Sequence, residues 1–128
     1  IATRTGAADM IWCGFSIHHL ESTQKQEMLC SACRALKPGG IFVCAEPVCR
    51  PGETRADYTG RWQHELRDRF QMLSDEEFEH FWEHIRTNDF PETPGNWIAM
   101  GNKAGFRRSS EIFRMPGDLF CAAFLYET

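Results

Sequence analysis

Nothing in the 128-residue sequence approaches the run of about 20 apolar residues that a bilayer-spanning helix needs, so an integral membrane protein is not expected. The opening IATRTGAAD lacks the basic-then-apolar pattern of a secretory leader. It also lacks an initial methionine, which leads us to expect a truncated or processed piece of a longer protein. An excess of positive charge is missing too. The 14 Lys and Arg residues face 18 Asp and Glu residues, for a net charge of -4, which argues against a nucleic-acid-binding face. There is no internal repeat, low-complexity tract or linker, which leaves one domain with one core. What remains is ordinary for a globular chain, with 42% hydrophobic and 25% charged residues.

Cysteine is the one type present in some abundance. Cys13, Cys33, Cys44 and Cys121 sit in apolar stretches, where the thiol acts as a small hydrophobe. Cys30-x-x-Cys33 followed by Cys44 and Cys49 has loose zinc-ribbon spacing. The reading of the elements puts Cys30 and Cys33 inside a helix and Cys44 inside a strand, not on the tight turns of a zinc knuckle. No metal is expected there, and a reduced, cytoplasmic protein fits better.

Asp9-Met10-Ile11-Trp12-Cys13 is a short continuous apolar run, predicting a strand buried on both faces as in a parallel sheet. A helix over 22–36 follows, capped by Ser22 or Thr23. Its apolar stripe is Met28, Leu29, Ala32, Cys33 and Leu36, with Gln24, Lys25, Glu27 and Arg34 elsewhere. Lys37-Pro38-Gly39-Gly40 stops it, and 41–45 is a second apolar strand, completing a βαβ unit. Residues 48–60 read as a loop. A weaker helical pattern runs through Trp62, Leu66 and Phe70. Ser74 to Glu77 spells a capping box for a helix with Phe78, Phe81, Trp82 and Ile85 on one face. Thr93 and Pro94 open another, carrying Trp97, Ile98 and Met100 and ending at Gly105. Strands at 109–115 and 119–126, joined by Met115-Pro116-Gly117-Asp118, suit an antiparallel hairpin.

This order, with the stretches ADMIWCGFSIHHL and ALKPGGIFVCAEP about twenty residues apart and KAGFRR further on, resembles the second half of the class I S-adenosylmethionine-dependent methyltransferase domain. The resemblance implies an α/β, Rossmann-like fold, here partial. It comprises a βαβ unit, then helices, then a C-terminal antiparallel strand pair, with 1–128 as a single partial domain. It implies S-adenosylmethionine as cofactor of the parent protein and a small-molecule methyl acceptor. The family grips its cofactor through a glycine-rich turn after its first strand and an acidic residue after its second. No counterpart precedes Asp9, so that half is expected to be missing and cofactor binding by this chain alone is in doubt. The Asn/Asp-Pro-Pro-aromatic run of enzymes that methylate nucleobases or glutamine is absent, since Cys-Gly-Phe-Ser stands in its place.

Ligands of open parallel sheets lie at the carboxyl ends of the strands. Cys13, Gly14 and Phe15 are therefore the candidates for cofactor contact, as the resemblance also implies, although Gly14 and Phe15 could equally form a plain turn. His18 and His19 are the candidates for proton transfer, against capping or carbonyl-bonding roles. Glu46 could orient a substrate or accept backbone N–H bonds in the turn. Arg50, Arg55, Tyr58, Arg61 and Trp62 occupy the region that covers the substrate in relatives, and an arginine–aromatic mixture suits an acidic or aromatic molecule.

Two functions follow. In the first, the parent protein methylates a small molecule, and this chain supplies one wall of the cofactor cleft and the substrate lid. In the second, the chain is a non-catalytic, self-associating or binding module. The second draws on strand 9–13, which without its neighbour becomes an apolar edge free of lysine and proline. Pairing there with the missing half or with a second copy in a homo-oligomer is expected, with neither nucleic acid nor membrane as partner.

Overall fold

The computed structural model describes residues 5–116 and 121–128. Its elements are β1 (Ala8–Gly14), a 3-10 turn (Ile17–His19), α1 (Ser22–Ala35), β2 (Leu36–Pro47), α2 (Arg55–Arg69), α3 (Asp75–Asn88), α4 (Pro94–Ala104), β3 (Arg108–Arg114) and β4 (Cys121–Glu127). The strands form one sheet in the order β1-β2-β4-β3. β1 runs parallel to β2, and β4 runs antiparallel to both of its neighbours. The α/β class, the parallel first pair and the antiparallel C-terminal pair follow the sequence expectation. Part of the connection expected at 115–118 lies outside the described residues.

β1 is an edge strand, as expected for this chain without the neighbouring strand, and its apolar run is not buried on both faces. Met10 and Trp12 are 54% and 59% exposed, so a run that reads as interior is half solvated. The Lys-Pro-Gly-Gly segment also differs from expectation, because it lies within β2 and does not precede it. Ala8 faces Leu36 while Met10 already faces Ile41, so β2 carries extra residues as a bulge. A Cβ on Gly40 would sit 2.9 Å from the Lys37 carbonyl oxygen and 3.2 Å from that of Asp9. Only glycine lets the bulge press this close to β1.

α1 and α4 pack together and against the sheet. Leu29 and Ala32 from α1, Trp97 from α4, Phe42 and Cys44 from β2, and Phe124 and Tyr126 from β4 form the main core. Phe42 and Tyr126 stack with ring centres 5.5 Å apart. α4 approaches the sheet through Gly101, where a Cβ would meet the Tyr126 ring at 2.3 Å. The helix begins and ends as the sequence indicates, with Thr93 accepting from the Asn96 N–H and Gly105 in the left-handed region.

α1 departs from expectation in two ways. Its N-cap is Glu21, in a reciprocal box with Gln24, and not Ser22 or Thr23. Lys25, expected on the outer face, is fully buried. Its ammonium bonds to the Phe90 carbonyl oxygen and lies 3.3 Å from Glu92 Oε1. Burial lowers the Lys25 pKa and the Glu92 carboxylate opposes that shift. An inward lysine is affordable here only because the segment after α3 brings it an anion.

α2 and α3 form a second layer with its own small cluster of Leu66, Phe78, Trp82 and Ile85. α2 starts at Arg55, so the expected loop ends earlier than 60, and Phe70 is the cap residue after the helix rather than part of it. The capping boxes Thr54–Asp57 and Ser74–Glu77 set both starts. Phe81, expected in the core, is the partly exposed member of its stripe. No described helix is long and apolar enough to cross a membrane.

Candidate functional site

The chain leaves β1 through Gly14 and turns sharply at Phe15, which takes a positive φ of 49°. A non-glycine residue in that region is uncommon and costs on the order of 1 kcal/mol or more. The cost is met by Glu46 at the end of β2. Its fully buried carboxylate accepts the backbone N–H groups of Ser16 (3.2 Å), Ile17 (3.1 Å) and His18 (3.2 Å). It also lies 2.7 Å from His18 Nδ1. One buried carboxylate thus gathers three successive backbone donors of the turn, as a charge-assisted cluster should. Glu46 is therefore sealed from solvent, and its influence on any ligand passes through His18.

With Nδ1–H donating to Glu46, a neutral His18 ring has its lone pair on Nε2. That atom lies 3.7 Å from Asp89 Oδ1, and His19 Nδ1 lies 3.4 Å from the same oxygen. The two imidazoles are packed at 4.0 Å between centres. Asp89 is the C-cap of α3. Burial raises its carboxyl pKa, while the neighbouring histidines and Arg55 pull the other way. It is held in place by Arg55 at the start of α2. The Arg55 guanidinium donates to the Asp89 carbonyl at 2.6 Å and to those of Arg86 and Thr87 at 2.8 and 3.0 Å, closing the C-terminal end of α3.

Phe15, His18, His19, Pro47, Trp62, Phe81, His84, Ile85 and Asp89 line a cavity of about 210 Å³ between the strand ends and the α2–α3 layer. A larger open groove runs along α1 and α4 and contains none of the strand-end residues.

The structure brings together only part of the residue set expected from sequence. Phe15, His18, His19 and Trp62 share the cavity. Cys13 and Gly14 stand just before it on β1, opposite Cys44 and Ala45. Burial and the Glu46 charge raise the Cys13 thiol pKa, so it stays protonated. Tyr58 is fully buried, beside Trp62 with ring centres 5.9 Å apart. Arg61 is engaged by Glu53 through bonds of 2.7 and 2.8 Å. Arg50 is exposed at the turn before α2. Sequence reasoning missed His84 and Asp89. Asp89 is separated from the histidines by some seventy residues, and no local signal links it to them. The six cysteines are all free, and none belongs to the one group of potential metal ligands among the described residues, which is His18, His19 and Asp89.

A methyltransferase-domain family model matches residues 1–44, about a third of the chain. No curated protein matches it in sequence. Solved structures match across nearly its whole length. An O-methyltransferase family protein from Burkholderia thailandensis is 16% identical over 95% of this chain and 30% of its own, with a TM-score of 0.62. Human N-acetylserotonin methyltransferase, solved with S-adenosylmethionine, is 16% identical over 94% of this chain and 29% of its own, at 0.58. The YcgJ protein of Bacillus subtilis is 12% identical over 100% of this chain and 67% of its own, at 0.63. At these identities the likeness establishes the fold. The chain spans about a third of the length of the first structures it matches.

Proposed function

We propose that this piece of a class I S-adenosylmethionine-dependent methyltransferase domain forms one wall of the cofactor cleft and the lid over the methyl acceptor of a small-molecule methyltransferase. One observation carries the reading. The parallel strand ends, where this class of sheet binds its ligands, open into a cavity walled by Phe15, two histidines and the aromatic side of α2–α3.

The residues present fit part of the cofactor. The exposed Phe15 ring and the backbone of 13–15 offer a surface for its methionine end, held by the bonds to Glu46 and by the Phe15 N–H to the Ala45 carbonyl (2.8 Å). The glycine-rich turn and ribose carboxylate that the resemblance implies have no counterpart among the described residues. When bound, S-adenosylmethionine supplies an electrophilic methyl group on sulfonium. This chain's side chains then align the acceptor and exclude water, which is most of what an in-line displacement asks of a protein. Trp62 and Phe81 supply apolar cover. His18, fixed by Glu46, and the more exposed His19 orient a polar acceptor group and take its proton if it arrives protonated. A neutral or aromatic acceptor suits this cavity better than an acidic one, because Arg61 is already paired with Glu53.

A second reading rests on a separate observation. The β1 edge exposes Met10, Trp12 and Phe15, an apolar row beside unpaired strand groups that invites pairing with another strand. Its partner would be the preceding part of the longer domain or a second copy of this chain.

Calorimetric titration with S-adenosylhomocysteine, with mass followed by light scattering, separates the two readings. Saturable binding weakened by Phe15→Ala supports the cleft wall. No binding together with a concentration-dependent rise in mass supports the assembly module.

A further inference from the structure

We propose that His18, His19 and Asp89 form a binding site for a divalent transition-metal ion of the zinc type, open towards the cavity. The site is assigned from geometry and does not depend on the methyl-transfer reading, although a bound ion would occupy His18 Nε2 and so replace proton transfer at that residue.

The donor set is two imidazoles and one carboxylate, which suits zinc when a fourth position is left for water or substrate. The spacing fits as well. Ligand bonds of about 2.0–2.1 Å in a tetrahedron place the donor atoms roughly 3.3 Å apart. The His19 Nδ1 to Asp89 Oδ1 and His18 Nε2 to Asp89 Oδ1 separations are 3.4 and 3.7 Å, and one donor atom from each residue lies within 4.8 Å of the others. The two separations to Asp89 Oδ1 are thus within about half an ångström of the tetrahedral spacing, and side-chain rotation of the exposed His19 brings in the third donor.

Two observations point to a ligand beyond the mere proximity of these groups. The Asp89 side chain is only 7% exposed, yet its Oδ1 has no hydrogen-bond partner. A buried, unsatisfied carboxylate oxygen facing two imidazole nitrogens is unfavourable unless something positive lies between them. The second is Glu46. Metal-ligating histidines almost always donate their other ring N–H to a carboxylate or carbonyl, which fixes the tautomer and leaves the lone pair on the metal side. His18 has this arrangement, with Nδ1 against the buried Glu46 and Nε2 turned to Asp89.

His19 is the adaptable member. Its Nδ1 also lies 3.3 Å from the Asn88 carbonyl oxygen, a long and exposed bond that metal binding would displace. The Arg55 bonds fix the backbone of Asp89. The open side faces Phe15, Trp62 and Phe81, so the fourth position would meet an oxygen or nitrogen of a molecule in the cavity. The competing arrangement is a protonated His18 bridging the Glu46 and Asp89 carboxylates, and it needs no metal.

The test uses cobalt(II) and zinc(II) alone, titrated into the reduced full chain by absorption and equilibrium dialysis. The expected result is one ion per chain, with a visible cobalt spectrum lacking the intense thiolate charge-transfer band. His19→Gln, at a partly exposed position, and Asp89→Asn should each weaken binding by at least the order of 10–100-fold seen for disturbed zinc sites, with circular dichroism unchanged. A Cys30→Ser, Cys33→Ser double variant should bind like the parent. Absence of stoichiometric binding would overturn the proposal in favour of the bridging histidine. Binding that survives both ligand variants, or that shows thiolate character, would overturn it equally.

Discussion

The sheet layer and the α2–α3 layer are built on different principles. The sheet with α1 and α4 rests on one continuous core, in which Leu29, Phe42, Trp97, Phe124 and Tyr126 are all buried. The α2–α3 layer has a small cluster of Leu66, Phe78, Trp82 and Ile85, with Tyr58 buried apart from it. Its remaining support is polar, with the Arg55 bonds to the end of α3, the Arg61–Glu53 pair and two capping boxes. Burial at about 25 cal/mol per Å² favours the first layer heavily, whereas straps of this kind contribute about 1–3 kcal/mol each. A rigid sheet end under a more weakly held cover would serve the lid role proposed above, because lids are drawn from the low-stability part of a fold.

The comparison breaks first at the strand ends. Glu46→Ala would orphan the amides of Ser16, Ile17 and His18 and remove the anion facing His18, at a cost of about 3–5 kcal/mol. Chemical denaturation should show the whole sheet weakened, and an unchanged midpoint would refute the role given to Glu46. Gly101→Ala comes next. It gains about 1 kcal/mol of helix propensity but drives a Cβ into the Tyr126 ring and Ser109 Oγ, so a net loss of about 1–3 kcal/mol is expected in the same assay. Arg55→Ala should cost about 1–2 kcal/mol, felt locally. Amide exchange at 86–90 should speed up while β2 and β4 keep their protection.

The smallest effect is expected from acid. Burial alone would raise the Glu53 pKa, but its bonds to Arg61 and to the Arg50 amide outweigh burial and hold it below the usual glutamate range. A depressed carboxyl pKa stabilises the fold above the unfolded value, and the gain disappears as pH falls through the folded value. The α2 amides should therefore lose protection in acid before those of the sheet. Equal loss in both layers would count against polar strapping.

The sheet layer was the more legible half in the sequence. Periodicity gave α1, α4 and the four strands because burial against one core imposes a pattern on each. The cap residues Thr93 and Ser74 act locally and could be read directly. Lys25 was misread because helical position alone cannot reveal that the chain after α3 returns with Glu92 and the Phe90 carbonyl. Met10 and Trp12 read as interior from apolar content alone, and only the resemblance, with its missing neighbour strand, marked them as an edge. The candidate site divides in the same way. His18 and His19 were legible through the resemblance of their His-His-Leu stretch, and Glu46 through its place at the end of a strand. Asp89 and His84 reach the cavity only through the docking of α3, a tertiary event with no local sequence mark.

Amide exchange of 13–19 and 55–89, measured with and without S-adenosylhomocysteine, tests the account most directly. It predicts that the ligand protects the turn after β1 and slows opening of α2–α3, leaving β3 and β4 unchanged. Binding that protects the α1–α4 groove instead, or no response in either segment, would contradict a cleft wall at the strand ends beneath a lid.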